Sequence, residues 1–226
     1  MKKKYFPTEL AYLIGITILA FGAALMAQAE FGMSMVVAPA YLLHLKVSQF
    51  LPFFSFGMAE YTLQAVLLVV LAIVMRRFKW SYLFSLGTAV FYGFLLDIFM
   101  KIVANFPEET AWRVVWYIVG LLLCTAGVSL LFHTYISPEA YELFVKEVSA
   151  KIPMDISKFK TIYDCTSCLV AILLSFLFFG WGHFEGVKLG TILCALINGW
   201  MIGRFTKIFE AVFEFRDGLK LRKYFE

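Results

Sequence analysis

YLIGITILAFGAALM, Tyr12 to Met26, returns as YIVGLLLCTAGVSLL, Tyr117 to Leu131. The two stretches align without a gap. Tyr12 and Tyr117, Gly15 and Gly120, Gly22 and Gly127, and Leu25 and Leu130 are identical pairs. Most other positions exchange one apolar residue for another. The correspondence continues downstream. Ala40–Tyr41 recurs as Ala140–Tyr141, AEYT (Ala59–Thr62) as YDCT (Tyr163–Thr166), and LGT at Leu86–Thr88 as LGT at Leu189–Thr191. Blocks repeated in the same order at nearly the same spacing mark a duplicated unit. Each copy holds three long apolar segments. An odd number of crossings turns the second copy upside down. Inverted repeats of this kind are characteristic of secondary transporters and some channels, with the site at the repeat interface.

Composition sets the class. Hydrophobic residues make up 62% of the 226 residues and charged residues 16%, against roughly 25% charged in a soluble domain. The fold class expected is an all-α, polytopic membrane protein of six transmembrane helices with short amphipathic helices between them. A run of about 20 apolar residues crosses the hydrocarbon core. The expected spans are Leu10–Ala29, Met58–Met75, Trp80–Ile102, Trp112–Phe132, Thr161–Phe179 and Val187–Lys207. One transmembrane domain covers 1–226, with repeat one at 10–105, repeat two at 112–207 and a cytoplasmic amphipathic helix at 208–226. The first segment reads as a span and not as a cleaved leader, since no small-residue cleavage site follows it.

Lys and Arg set the orientation. Lys2, Lys3 and Lys4 precede span one; Arg76, Arg77 and Lys79 separate spans two and three. Lys146, Lys151, Lys158 and Lys160 lie between spans four and five, and Arg216, Lys220, Arg222 and Lys223 follow span six. Those regions share one side, so both termini are expected in the cytoplasm. The net charge of +4 follows from this topology and implies no nucleic acid. The partners expected are the lipid bilayer and a small solute or ion.

Each copy has a longer connection after its first span, Pro39–Gly57 and Ser137–Lys160. SPEA is a good helix start, with Ser137 as cap and Pro138 at the first helical position. Such helices either lie on the membrane surface or dip in as re-entrant segments covered by protein; the amphipathic pattern favours the surface. Phe205, Ile208, Phe209, Val212 and Phe213 extend helical spacing past span six. A homodimer contact is the alternative use of that face.

Ionisable groups inside the bilayer are expensive and carry the functional signal. Glu60 opens span two, with Gln64 one turn later on the same face. Asp164 occupies the matching place in repeat two. Both could equally be helix-start carboxylates held by the helix dipole. Asp97 lies deep in span three, with Lys101 placed at i+4 to neutralise it. Asn198 sits near the middle of span six. These six are the candidate substrate- or ion-binding residues. Gln28 and His133 read as helix-end caps, Arg204 as snorkelling, and His44 and His183 as interfacial. Gly199 and Gly203 form a GxxxG read as helix packing. Cys165 and Cys168 form a CxxC without further metal-ligating partners, so they read as small packing residues. No nucleotide-binding loop, HExxH or nucleophile elbow appears. No enzyme, cofactor or metal is expected.

Span one, GFLLDIF in span three, SPEAYELFV, FKTIYDCTSC and LGTILCALINGWMIGRF together resemble the YczE/YyaS/YitT family of bacterial membrane proteins, over roughly residues 10 to 210. The resemblance implies a polytopic inner-membrane protein and supplies no catalytic roles. The expected function is a secondary transporter working by alternating access between the repeats, with protons as one candidate coupling ion. The competing reading is a non-enzymatic binding or accessory subunit, either the substrate-capturing part of an energy-coupling complex or a scaffold. Ala20, Ala24 and Ala27 on span one would then face its partner.

Overall fold

A computed structural model describes residues 3–32, 34–154, 156–180, 185, 187–220 and 222. Lys2, His183 and Lys223 lie outside the described residues. The helices are α1 (Thr8–Ala29), α2 (Ala38–Val47), α3 (Phe56–Met75), α4 (Ser81–Val103), α5 (Thr110–Phe132), α6 (Ala140–Lys151), α7 (Ile156–Phe179) and α8 (Leu189–Val212). Six of them, all but α2 and α6, are long and apolar enough to cross a membrane. Their lengths follow from hydrophobic runs matched to a bilayer, and the exposed Leu, Ile, Val and Phe on their outer faces are what a chain solvated by lipid presents.

The centre of the molecule is the α1–α5 pair. In lipid no hydrophobic drive pushes helices together, so close approach rests on small residues. A Cβ added to Gly22 would lie 2.7 Å from Gly120 O, and one added to Gly120 would lie 2.7 Å from Gly22 O. Gly15 and Gly127 face each other in the same reciprocal way. Contacts that pair 15 with 127 and 22 with 120 require the two helices to run antiparallel. They are also the contacts that a twofold exchanging Gly15 with Gly120 and Gly22 with Gly127 would generate. Most of the remaining helix packing comes in matched pairs, α1 on α4 and α5 on α8, α3 on α4 and α7 on α8, α2 on α3 and α6 on α7, α2 on α7 and α6 on α3, while α4 on α6 has no comparable counterpart between α8 and α2. Ala20 and Ala24 are wholly buried. These two alanines of the small-residue face pack inside the chain, while Ala27 is half-buried.

The short helices do not lie flat. α6 begins where Ala140 N donates to Gln64 Oε1, midway along α3, and ends where Lys151 Nζ donates to Val74 O at the end of α3. It therefore runs beside α3 through half the depth of that span. The loop leading into it is anchored equally deep, with Ser85 Oγ donating to Pro138 O at 2.6 Å and Thr88 Oγ1 to Ser137 O at 2.9 Å. This overturns the surface placement favoured by the amphipathic pattern. Non-helical backbone at depth is stable where neighbouring side chains satisfy it, and Ser85, Thr88 and Gln64 do so. α2 packs on α3 and α7, and Lys46 near its end donates to Phe178 O near the end of α7.

The C-terminal helix expected at 208–226 also gives way. α8 ends at Val212, and β2 (Phe213–Arg216) pairs in parallel with β1 (Lys4–Pro7). Phe213 and Phe215 alternate with Glu214 and Arg216, a period of two that suits a strand. Phe6 packs on both phenylalanine rings. The pairing places the start of α1 and the end of α8 together, so both chain ends lie at one face of the bundle, here the terminal face. Beside it, Glu9 accepts from Tyr135 OH and from the Gly218 and Leu219 amides.

Candidate functional site

The deep placement of α6 brings polar groups from both repeats around one short helix. On its α3 side, Glu60 Oε2 accepts from Gln64 Nε2 at 3.3 Å and from Tyr141 OH at 3.1 Å. Glu60 and Gln64 are both fully buried. On its α7 side, Lys160 Nζ lies 2.8 Å from Glu142 Oε1 and 3.1 Å from Asp164 Oδ1. Asp164 Oδ2 accepts from Asn198 Nδ2 at 3.3 Å. The local reason is helix geometry. Lys160 and Asp164 are i,i+4 neighbours on α7, while Tyr141 and Glu142, adjacent on α6, point to different flanking helices.

Glu60, Gln64, Asp164 and Asn198 thus gather around α6 as two linked clusters. Asp97 and Lys101 do not join them. Asp97 Oδ2 accepts from Ser55 Oγ at 2.6 Å and Asp97 Oδ1 from Gly57 N at 2.8 Å. Ser55 in turn caps α3 by accepting from Met58 N. The carboxylate clamps the first turn of α3, where unpaired amides and the dipole favour an anion. The expected ion pair with Lys101 does not form; Lys101 is exposed.

Four members of the cluster, Glu139, Tyr141, Glu142 and Lys160, went unrecognised in the sequence because charge is cheap on a surface helix. The signal that would have found them is the run of hydroxyls in span three, Ser85 and Thr88, together with Tyr12, whose OH meets Thr88 Oγ1 at 2.8 Å. Polar side chains in an apolar span need partners at the same depth. Glu139 is the N-cap residue of α6 and is 4% exposed. Burial pushes its carboxyl well above the usual carboxylate range; the charges of Glu60 and Glu142 act the same way, and Lys160 opposes them.

The cluster is reached from the terminal face. A cavity of about 330 Å³ touches Lys160 at its floor, with His133, Lys146, Gly203, Thr206 and Glu210 among its walls. A second cavity of about 430 Å³ shares His133 and Lys146 and extends to Lys79 and Arg222. Gly203 has open space where a Cβ would go. Gly199 and Gly203 both line this hollow, and at Gly203 the helix packing expected of the GxxxG is not what the glycine provides. At the opposite face a small cavity of about 50 Å³ lies by Glu30, Tyr41, Glu185 and Lys188.

The other polar residues are placed locally. His133 Nδ1 lies 2.7 Å from Ser129 O at the end of α5, Arg204 stacks on Trp200 at 5.1 Å, and His44 Nδ1 lies 2.8 Å from Phe54 O. Cys165 is exposed while Cys168 is buried, so the two thiols of the CxxC look in different directions.

Among known proteins, a family described as of unknown function (DUF6198) matches residues 6–207. No curated protein and no solved structure matches the chain.

Proposed function

We propose that this chain, which belongs to the DUF6198 family of unknown function, is a secondary transporter that moves a small solute by alternating access between its repeats. The observation that carries the reading is the position of α6. A half-depth helix joins the buried carboxylate of repeat one, Glu60, to that of repeat two, Asp164, and the floor of the terminal-face cavity is Lys160 of the same cluster. Half-depth helices beside intramembrane carboxylates are what carriers use to bind solute near the midplane while keeping irregular backbone away from lipid. The matched packing of the two halves supports the reading, because exchanging the packing of two twofold-related halves would generate the second arrangement that alternation needs.

The distribution of Lys and Arg supports a cytoplasmic terminal face, which makes the described state inward-open. Asp164, Asn198 and Lys160 would meet solute arriving through that cavity. Glu60 and Glu139 are shielded from it behind α6. The resemblance to the YczE/YyaS/YitT family of bacterial inner-membrane proteins fits the same placement. Burial of Ala20 and Ala24 within the chain leaves only Ala27 of the small-residue face partly accessible to an energy-coupling partner.

The test is thermal unfolding of the purified chain against a panel of ions and small metabolites. A ligand that binds the folded form raises its stability by about 2.7 kcal/mol at a hundredfold excess over Kd. The expected result is a compound that stabilises the wild type and loses its effect in Asp164→Asn. A panel with no effect, together with co-purification of ATPase subunits, would replace the transporter by a coupling subunit.

A further inference from the structure

Three buried polar atoms near the start of α6 have no partner: Glu60 Oε1 on α3, Glu139 Oε1 at the N-cap of α6, and Tyr92 OH on α4. Their residues are at most 4% exposed. Glu139 directly precedes Ala140, whose amide donates to Gln64, and Tyr141, next along α6, donates to Glu60; Tyr92 follows Thr88 by one turn of α4, and Thr88 donates to Ser137 O. The groups facing them come from every neighbouring element: Gln64 from α3, Tyr12 from α1, Cys124 from α5, Tyr141 and Glu142 from α6, and Lys160 from α7. The one cation among these, Lys160, has its short contacts on Glu142 and Asp164. Two ionised carboxylates in this low-dielectric setting repel strongly, and an unpaired buried oxygen loses its hydration without compensation.

A single proton corrects both faults. It takes the pair from two negative charges to one and turns an unpaired, buried carboxylate oxygen into part of a neutral carboxylic acid. We propose that Glu60 and Glu139 form a proton-binding site that carries one proton at neutral pH, with Tyr92 and Tyr141 beside it. The step is binding alone, carboxylate plus proton giving carboxylic acid, and it needs no co-reactant. Glu139 belongs to the short helix and Glu60 to a span, so protonation determines whether the two elements attract or repel. The site's role as the coupling-ion site rests on the transporter reading; its existence does not.

The test is infrared spectroscopy of the full chain in lipid nanodiscs at neutral pH. The wild type is expected to show a protonated carboxylic C=O band that shifts on labelling glutamate with carbon-13 and stays fixed on labelling aspartate. In Glu60→Gln the remaining carboxyl, freed of its like-charged neighbour, should need about a tenfold higher proton concentration for half-protonation. In Asp164→Asn the band should persist. The labelling readout needs no variant to fold. Absence of a protonated glutamate band, a band that follows labelled aspartate, or one unchanged in both Glu60→Gln and Glu139→Gln would overturn the site. If the band behaves as expected while no solute stabilises the protein and no proton gradient drives uptake, the transporter reading fails and the site stands.

Discussion

Glu60 and Asp164 occupy equivalent places in the two repeats, yet their surroundings are opposite. Asp164 has a cation one turn before it, Lys160, and an amide from α8, Asn198. At the place that corresponds to Lys160, repeat one carries Phe56, which is buried against Tyr41. Glu60 has only the neutral donors Gln64 and Tyr141. The matched segments differ at Phe56 against Lys160, at Gln64 against Cys168 and at Leu95 against Asn198, and these differences give their two carboxylates different chemistry. One is held as an ion pair beside the open cavity. The other is left without a counter-charge in the interior. Such divergence is how equivalent acids come to do different work.

Removing the cation strikes hardest at this asymmetry. Lys160→Met leaves Glu142 and Asp164 buried and uncompensated, and is expected to destabilise by about 3–5 kcal/mol in denaturant unfolding from detergent micelles. Adding Asp164→Asn to it should recover part of that loss. Neutralising the two acids one at a time sharpens the contrast. Asp164→Asn breaks a buried pair and is expected to lower stability by about 1–3 kcal/mol, whereas Glu60→Gln should change it by about 0.5 kcal/mol or less. Equal losses would mean that the two sites are alike after all.

The glycine contacts test the opposite side of the comparison, where the halves are the same. Gly22→Ala and Gly120→Ala each push a methyl group into the partner's backbone and should lose about 1–3 kcal/mol apiece by overpacking. Reciprocal geometry requires the two losses to match. Asp97→Ala removes the clamp on the α3 terminus, for which an effect of about 1 kcal/mol on thermal unfolding is expected.

The smallest effect is on pH dependence. The Glu139 carboxyl is raised above its ordinary 4.5 in the folded chain. The folded state therefore holds a proton that the unfolded state releases. The stability this confers is complete below the unfolded value and is lost as pH rises through the folded one. Glu139→Gln should flatten that decline in a stability-against-pH series.

The sequence shows the bundle more readily than the site. Each span is a long apolar run whose ends carry Gly, Pro or Lys and Arg, so the helix limits fall within a few residues of those expected, and the twofold packing is written in Gly15, Gly22, Gly120 and Gly127. Glu60 and Asp164 stand out because a charge in an apolar run has no cheap explanation. Glu139, Glu142 and Lys160 do not stand out. Their helix reads as amphipathic, and depth is a property of the assembled bundle rather than of local pattern. Asp97 shows the reverse error. Its depth in the sequence suggested function, while its oxygens are used in capping a neighbouring helix. The strand at Phe213–Arg216 was hidden by phenylalanines that fit a helical period as well as a strand's.

The position of α6 also sets an order of events during synthesis. α6 carries Glu142, Lys146, Glu147 and Lys151 within one short helix, and a segment so charged does not partition into lipid by itself. The long apolar helices can enter one by one as they leave the ribosome. α6 has to wait at the interface until α3, α4 and α7 stand together and offer Gln64, Thr88 and Lys160 as a polar slot. The site is therefore assembled last, and a chain that loses that slot would be inserted with all its spans in place and still be unfinished.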